Sequence, residues 1–297
     1  MNNNDFRHRW WLYLLLTITL LLVVLPFAWM VLGSIKPENE LVRTQPTWWP
    51  HHPTLDNFHR LFSGQPWGKY LANSIVVSAA VTAGSLLFSS MLGYALARLN
   101  YPGKKLIFGA VMGCLMIPGL VMFIPQYVLI VNMGLANTLA ALILPFLVQP
   151  FGAFLMRQFF LGIPRDLLEA GRIDGAGELT IFFRIFLPLA TPAFATLGIL
   201  TFLGSWNSFL WPLVVSSSQD TYTLPVALAL ASTGEDQTDY GLLMAGATLV
   251  VLPILLVFLF CQRFILEGLS HAALKGLSCG PPTRHEPTPP PAVAEAS

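Results

Sequence analysis

Hydrolytic chemistry needs a nucleophile beside a base, and this chain keeps the two apart. Its six histidines, at 8, 51, 52, 59, 271 and 285, all lie outside the long apolar runs. A serine inside a run, such as Ser205, therefore has no imidazole base beside it. The runs hold no Asp or Glu, which removes an aspartyl dyad and also the carboxylate relay of a proton-coupled carrier. No G-x-x-x-x-G-K-S/T occurs: Gly68-Lys69 and Gly103-Lys104 lack the upstream glycine and the following hydroxyl residue. Uphill transport by such a chain would have to draw its energy from elsewhere. His51, His52 and His59 share one loop, but adjacent histidines converge poorly and no Cys or carboxylate stands at ligand spacing. Cys114, Cys261 and Cys279 fit no metal pattern and read as small apolar fillers. No catalytic residue and no metal ligand is assigned.

Charge deep in the chain gathers in residues 167–192, LLEAGRIDGAGELTIFFRIFLPLATP, with two glutamates, one aspartate and two arginines. Pro164 fits the first turn of a helix. Arg165 and Glu169 are four apart and Glu169 and Arg172 three apart, spacings that allow pairing on one helical face. Leu167, Leu168 and Ile173 supply apolar contacts beside them. Asp174-Gly175 marks a turn, because glycine accepts positive φ cheaply. A second short helix then runs from Gly177 toward Leu187-Pro188. Such a charged helix–turn–helix makes a docking surface for a soluble partner, although a solvated loop between spans is the commoner use of such a segment.

The elements that must hold this loop are membrane spans. Of 297 residues, 55% are hydrophobic and 10% charged, against about 25% charged in soluble domains. Residues 10–35, 70–97, 186–218 and 241–262 are uncharged over more than the ~20 residues that cross a bilayer. Residues 106–156 are uncharged too and long enough for two spans, with a turn placed near Pro125, Asn132, Gly134 and Asn137. The expected fold is all-α and polytopic, with six transmembrane helices. Lys and Arg set the orientation. Placing the N-terminus inside puts twelve basic residues on the cytoplasmic side and four (Lys36, Arg43, Arg60 and Lys69) outside, so both termini are expected in the cytoplasm. The first span exceeds a signal-peptide core and reads as an uncleaved anchor.

The resulting division is a cytoplasmic N-terminus (1–9), a first span (10–35), an external loop (36–69), a core (70–265), a segment at 266–279 and a Pro-rich tail (280–297) expected to be disordered. Trp48, Trp49 and Trp67 are expected to anchor the external loop at the bilayer surface. Ser74, Ser78, Thr82, Ser85 and Ser89 fall at helical spacings, which suits close helix packing and, less often, the lining of a passage. Prolines at 118, 145, 150, 192, 212 and 253 should kink or break the spans. A net charge of +1 suggests no nucleic-acid partner.

The ordered run Glu169, Ala170, Asp174, Gly175, Ala176, Phe183, Ile185, Leu187, Pro188 and Pro192 resembles the EAA loop of binding-protein-dependent ATP-binding cassette (ABC) importer permeases. That pattern reads E-A-A, then D-G-A, then I-x-L-P; Gly171 stands where it usually has a second alanine. NSIVVSAAVTAGSLLFSSMLGYALARLNYPGKK, IPQYVLIVNMGLANTLAALIL, PFGAFLMRQFFLGIPRDLLEA and SWNSFLWPL resemble the carbohydrate permeases of the maltose type. QRFILEGLSHAALKG resembles the G-L-x-x-G-A-x-K-G terminus of one subunit of that pair, with Ala272 in place of glycine.

The resemblance covers residues 10–277 and implies the type I importer fold in a bacterial inner membrane. It implies a second permease subunit completing a heterodimer, two ATPase subunits that bind the ATP and Mg, and an extracytoplasmic sugar-binding protein. This chain would bind no cofactor itself. The loop, 164–184, would couple to an ATPase through Glu169, Ala170, Gly171, Asp174, Gly175 and Ala176. The C-terminal segment would touch the ATPases through Gly268, Leu269, Lys275 and Gly276, or lie on the membrane surface. Trp206 and Asn207, read as mid-span beside Ser205 and Ser208, would stack on and hydrogen-bond a sugar, unless SWNSF only packs helices. An importer of another polar solute, such as glycerol phosphate, would favour basic residues in the cavity, and the spans have none. A non-transporting assembly protein would have no use for the ordered loop.

Overall fold

The computed structural model describes residues 10–43, 45–232 and 239–277, with side chains as far as Leu259. Among these residues the regular structure is helical throughout: α1 (Trp10–Ser34), α2 (Glu38–Leu41), α3 (Asp56–Gly64), α4 (Trp67–Arg98), α5 (Lys104–Met116), α6 (Gly119–Asn132), α7 (Leu139–Ile143), α8 (Pro150–Leu161), α9 (Asp166–Ile173), α10 (Glu178–Leu189), α11 (Thr191–Trp206), α12 (Leu210–Val215), α13 (Leu224–Ser232) and α14 (Tyr240–Leu277). Four stretches are long and apolar enough to cross a bilayer: α1, α4, the α7–α8 unit (Leu139–Leu161) and the start of α14 (Tyr240–Leu259). Two more are bent pairs, α5 with α6 at 107° and α10 with α11 at 83°. Counting each pair as one span gives the six expected.

Proline decides where the spans break. Pro118 has no N–H and pushes Ile117 into extended backbone, and there α5 gives way to α6. Pro150 and Pro192 sit in the first turns of α8 and α11, where the missing N–H has no partner to lose. Pro125 departs from expectation: it lies inside α6 and does not mark the turn. The chain reverses further on, at Gly134 (φ 69°) and Asn137 (φ 58°). The Asn137 Oδ1 then accepts bonds from the N–H groups of Ser217 and Ser218 and from the Ser218 and Thr221 hydroxyls, at 2.7–3.1 Å.

The centre of the bundle is the pairing of α4 with α8, and small residues allow it. A Cβ at Gly93 would lie 2.8 Å from Met156 Cβ and 2.9 Å from the Arg157 nitrogen. One at Gly152 would lie 3.0 Å from Ser89 Cβ. The Gln149 N–H, at the start of α8, donates to Ser89 Oγ at 3.1 Å. Tyr94, Met156, Phe160, Phe182, Phe186 and Leu197 fill the adjoining core. The hydroxyl stripe of α4 therefore divides. Ser85 and Ser89 are sealed in helix packing, whereas Ser74 and Ser78 line a cavity.

Residues 36–43 and 45–66 lie at the end of the bundle where α4 begins, opposite the 164–189 loop, which meets the end of α4. The Glu38 carboxylate accepts the Tyr240 and Gly241 N–H groups at 3.1 and 2.7 Å, an anion at the N-terminus of α14. Asn57 donates to the Ser34 and Lys36 carbonyls. The Thr47 hydroxyl donates to Glu40 at 2.6 Å, and with the His51 N–H it holds that carboxyl below the usual carboxylate range. Trp67 is not a surface anchor: it is 1% exposed, packed with Leu61, Tyr70 and Trp206. Trp48 and Trp49 are exposed, Trp48 lying edge-on to Trp29 at 5.0 Å. Helix α1 packs chiefly on α14 and meets the external segment only near its own end, through Trp29 and Ser34; most of its length is exposed.

Candidate functional site

The charged loop folds as two short helices set at an angle by one glycine. Pro164 lies outside α9, which starts two residues later at Asp166. At the other end of α9 the Ala176 N–H bonds to the Gly171 carbonyl and the Gly175 N–H to Arg172, both at 3.0 Å. With Gly175 at φ 77°, this is a Schellman cap, and it needs a residue free to enter the left-handed region. Gly171 is buried where α9 meets α10; a Cβ there would stand 3.1 Å from Ile185 Cδ1 and 3.2 Å from Ile181 Cγ1. The alanine usual in the EAA pattern would require those side chains to yield.

The predicted ion pairs do not form. Among the described residues neither Arg165 nor Arg172 pairs with Glu169; Arg172 instead crosses the turn to Glu178, its Nε donating to Oε1 at 2.8 Å. The turn brings Glu178 closer to the Arg172 guanidinium than the helix brings Glu169. This leaves Glu169 exposed, in a recess it lines with Arg98, Lys104, Arg165 and Arg172. On the same loop Ile173, 86% exposed, Leu179 and Phe183 also face outward, and exposed apolar side chains of this kind suit a protein partner better than water.

Three residues that sequence reasoning passed over anchor this loop to the bundle. The Tyr94 hydroxyl donates to Glu178 Oε2 at 2.8 Å, so Glu178 ties α4 to both halves of the loop. The Tyr94 ring meets Phe160, Phe182 and Phe186 at 5.1–5.9 Å. Arg98, buried at the end of α4, donates to the Phe160 and Ile163 carbonyls at the end of α8 and lies 5.3 Å over the Phe186 ring. A lone arginine closing an uncharged span was the available signal; Tyr94 and Glu178 carried none, because they are 84 residues apart. Tyr94→Phe keeps the ring and removes a hydrogen bond to a carboxylate, a bond worth about 1.5–3 kcal/mol. We expect this variant to insert normally but to melt lower in detergent, with faster proteolysis between residues 164 and 190. Wild-type melting and cleavage would show that the bond does not hold the loop.

The second feature is a cavity of ≈ 110 Å³. It lies among α4 (Ser74, Ser78), the α7–α8 link (Phe146, Gln149), α11 (Thr201, Ser205, Trp206), α12 (Trp211) and Thr223 before α13. No side chain around it is charged. Trp206 reaches it, but from the last position of α11 and not from mid-span. Its indole is 1% exposed, stacked on Phe202 at 5.6 Å, and its N–H donates to the Val250 carbonyl at 3.0 Å. Asn207 is not in the cavity wall; it ends the helix, exposed, and its amide turns back to the Leu203 carbonyl. The helix stops here, so the SWNSF segment splits between packing and cavity. Gly268, Leu269, Lys275 and Gly276 lie on the helical continuation of α14, and their side chains fall outside the described residues, as does the whole of 278–297.

Comparison with known proteins agrees with this geometry. Residues 85–271 match the family described as binding-protein-dependent transport system inner membrane component. The arabinooligosaccharides transport system permease protein AraQ of Halalkalibacterium halodurans is 42% identical, over 86% of this chain and 92% of its own length. The diacetylchitobiose uptake system permease protein NgcG of Streptomyces coelicolor is 34% identical, over 88% and 87%. A bacterial ABC transporter that imports the acidic polysaccharide alginate shares the fold, with a TM-score of 0.80 at 21% identity over 89% of this chain and 99% of that one. The family match spans the loop and the cavity wall from Leu142 to Thr223, and the chain therefore belongs to the inner membrane components of binding-protein-dependent transport systems: it is a permease of an ABC importer.

Proposed function

We propose that the chain is one of two permease subunits forming the path of a bacterial sugar importer. The observation that carries this reading is the uncharged, hydroxyl- and indole-lined cavity at the end of a broken helix, in a chain whose relatives are named for oligosaccharide transport. Discontinuous helices at membrane depth commonly build solute sites, since freed backbone is tolerated only around a cavity.

Energy enters from outside the chain. Two ATPase subunits bind ATP and Mg, and one of them receives the exposed Glu169, Ala170, Asp174 and Gly175, while the buried Gly171 and the half-buried Ala176 set the packing and turn that present them. The C-terminal continuation with Gly268, Leu269, Lys275 and Gly276 reaches the same partners. An extracytoplasmic binding protein delivers sugar at the opposite end, where residues 36–43 and 45–66 lie, and both termini are cytoplasmic. Trp206 contributes ring surface to the path; Asn207, outside the cavity wall, ends the helix that presents it.

The test is reconstitution of the chain with its companion permease, ATPase and binding protein in liposomes. We expect ATP-dependent uptake of neutral oligosaccharides. Uptake of glycerol 3-phosphate without any saccharide would support the other solute class, and failure to co-purify with an ATPase would favour an assembly role.

A further inference from the structure

Four cations meet in one recess at the junction of α4, α5 and α9. Arg98 ends α4 and Lys104 begins α5, while Arg165 and Arg172 come from the first and last turns of α9. Glu169 is the one carboxylate among the residues that line it. Arg172 is paired with Glu178, so four positive charges stand against two carboxylates and the group keeps an excess of two. Arg98 acts through its charge: it is 7% exposed, and its Nη2 is committed to the Phe160 and Ile163 carbonyls. Other groups remain open to a ligand. Lys104 is half-buried, and its three N–H groups meet two carbonyls, of Leu99 at 2.7 Å and Ala97 at 3.4 Å. Arg165 is exposed and, among the described residues, makes no ion pair. Like charges held together repel, and an anion bound among them removes that repulsion.

We propose that this recess holds the phosphate of an anionic membrane lipid. This rests on the importer reading above, which puts this end of the bundle on the cytoplasmic side. Position favours a lipid over a soluble anion. Arg98 is the last residue of one span and Lys104 the first of the next, so the recess stands at the depth of the headgroups, where basic pockets between spans take anionic lipids. Lys and Arg make the short, charge-assisted bonds that phosphate oxygens accept. The volume, ≈ 120 Å³, is about the share of four waters in the liquid, which suits one phosphate and leaves the acyl chains outside. Beyond Lys104, α5 exposes Leu106 at 79% and Ile107 at 41%, apolar surface for those chains. A zwitterionic headgroup would bring a choline cation toward the same four charges, so the recess discriminates against it. Because Arg165 and Arg172 belong to α9, the bound lipid ties the coupling helix to the end of α4.

The test uses the importer complex purified in detergent, stripped of lipid and titrated with phosphatidylglycerol, phosphatidylcholine or inorganic phosphate. Bound lipid is counted by native mass spectrometry. Lys104→Gln with Arg165→Gln removes two charges from the recess, and Lys105→Gln with Arg184→Gln removes two exposed charges that do not line it. We expect the wild type to hold one phosphatidylglycerol that the recess pair binds about thirtyfold more weakly. The control pair should match the wild type, as should Lys104→Arg with Arg165→Lys, which keeps both charges. If the recess pair does not fold, Arg165→Gln alone, at an exposed position, should give a loss of about fivefold. Unchanged binding in the recess variants, equal losses in recess and control pairs, or equal retention of phosphatidylcholine would overturn the proposal. Displacement of the lipid by millimolar inorganic phosphate would assign the recess to a soluble anion and overturn the lipid. Binding is read apart from transport, so a complex that holds the lipid yet takes up no saccharide would overturn the importer reading alone.

Discussion

Gly175→Val will abolish sugar uptake while the protein stays inserted at wild-type levels, and Glu169→Lys will do the same by a different route. Gly175 is the left-handed residue of the cap that ends α9, at φ 77°, and nothing within 4 Å would obstruct a side chain. The cost of the valine is therefore conformational. A β-branched residue resists that region, where each L-residue loses roughly 1–2 kcal/mol, and the chain will relieve it by reopening the two 3.0 Å cap bonds. Helix α9 then points elsewhere. Gly175→Asp should be milder, since Asp tolerates left-handed backbone.

Glu169 is exposed and makes no ion pair within the loop, although it lines a recess with Arg98, Lys104, Arg165 and Arg172, to which the lysine adds a further positive charge. Were it only a solvated charge, the change would amount to a few tenths of a kcal/mol. Truncating one member of a desolvated interface pair costs ~2–5 kcal/mol, enough to release the ATPase from washed membranes. ATPase retention measured beside uptake decides the matter. Normal retention and uptake in both variants would remove the coupling role from this loop.

Gly93→Val carries the largest structural effect. The new Cβ would enter the closest approach of α4 and α8, 2.8 Å from Met156 Cβ, 2.9 Å from the Arg157 nitrogen and 3.0 Å from the Ala153 carbonyl oxygen. Two of those three neighbours are backbone, which cannot rotate away, so the helices must separate. Overpacking usually costs about 1–3 kcal/mol, and here separation would also disturb the Ser89–Gln149 bond and the loss of packing would spread to Phe160. Little folded protein should be recovered in detergent, and what is recovered should melt well below wild type. Gly109→Val and Gly113→Val, whose Cβ positions meet nothing within 4 Å, serve as controls. A Gly93→Val protein that melts with the wild type would show that α4 and α8 are not held this closely.

The residues that were legible in advance, and those that were not, differ in the range of the interactions that place them. Spans follow from the length of uncharged runs, because a bilayer penalises every exposed polar group along the run itself. The turn at Asp174-Gly175 follows from local backbone freedom, and the breaks at Pro118, Pro150 and Pro192 from a missing N–H; each needs only adjacent residues. Periodicity could place Ser74 and Ser89 on one face of α4 but could not divide them. That division is made by α8, which reaches Ser89 and stops short of Ser74.

Pairing rules within a helix offered Glu169 to Arg172, yet the fold turned Glu178 toward it and added Tyr94 from 84 residues away. Trp206 was legible as an aromatic in a span. Its use was decided by Val250, whose carbonyl took the indole N–H, and by the end of α11, which turned Asn207 out of the cavity wall. The amino-acid sequence by itself determined an all-helical membrane chain with a charged loop of recognisable order, because hydrophobic run length and turn chemistry act locally. Only the tertiary structure decided which charges of that loop pair and which line a recess without pairing, because an ion pair is made or missed by whatever distant stretch of chain arrives beside it.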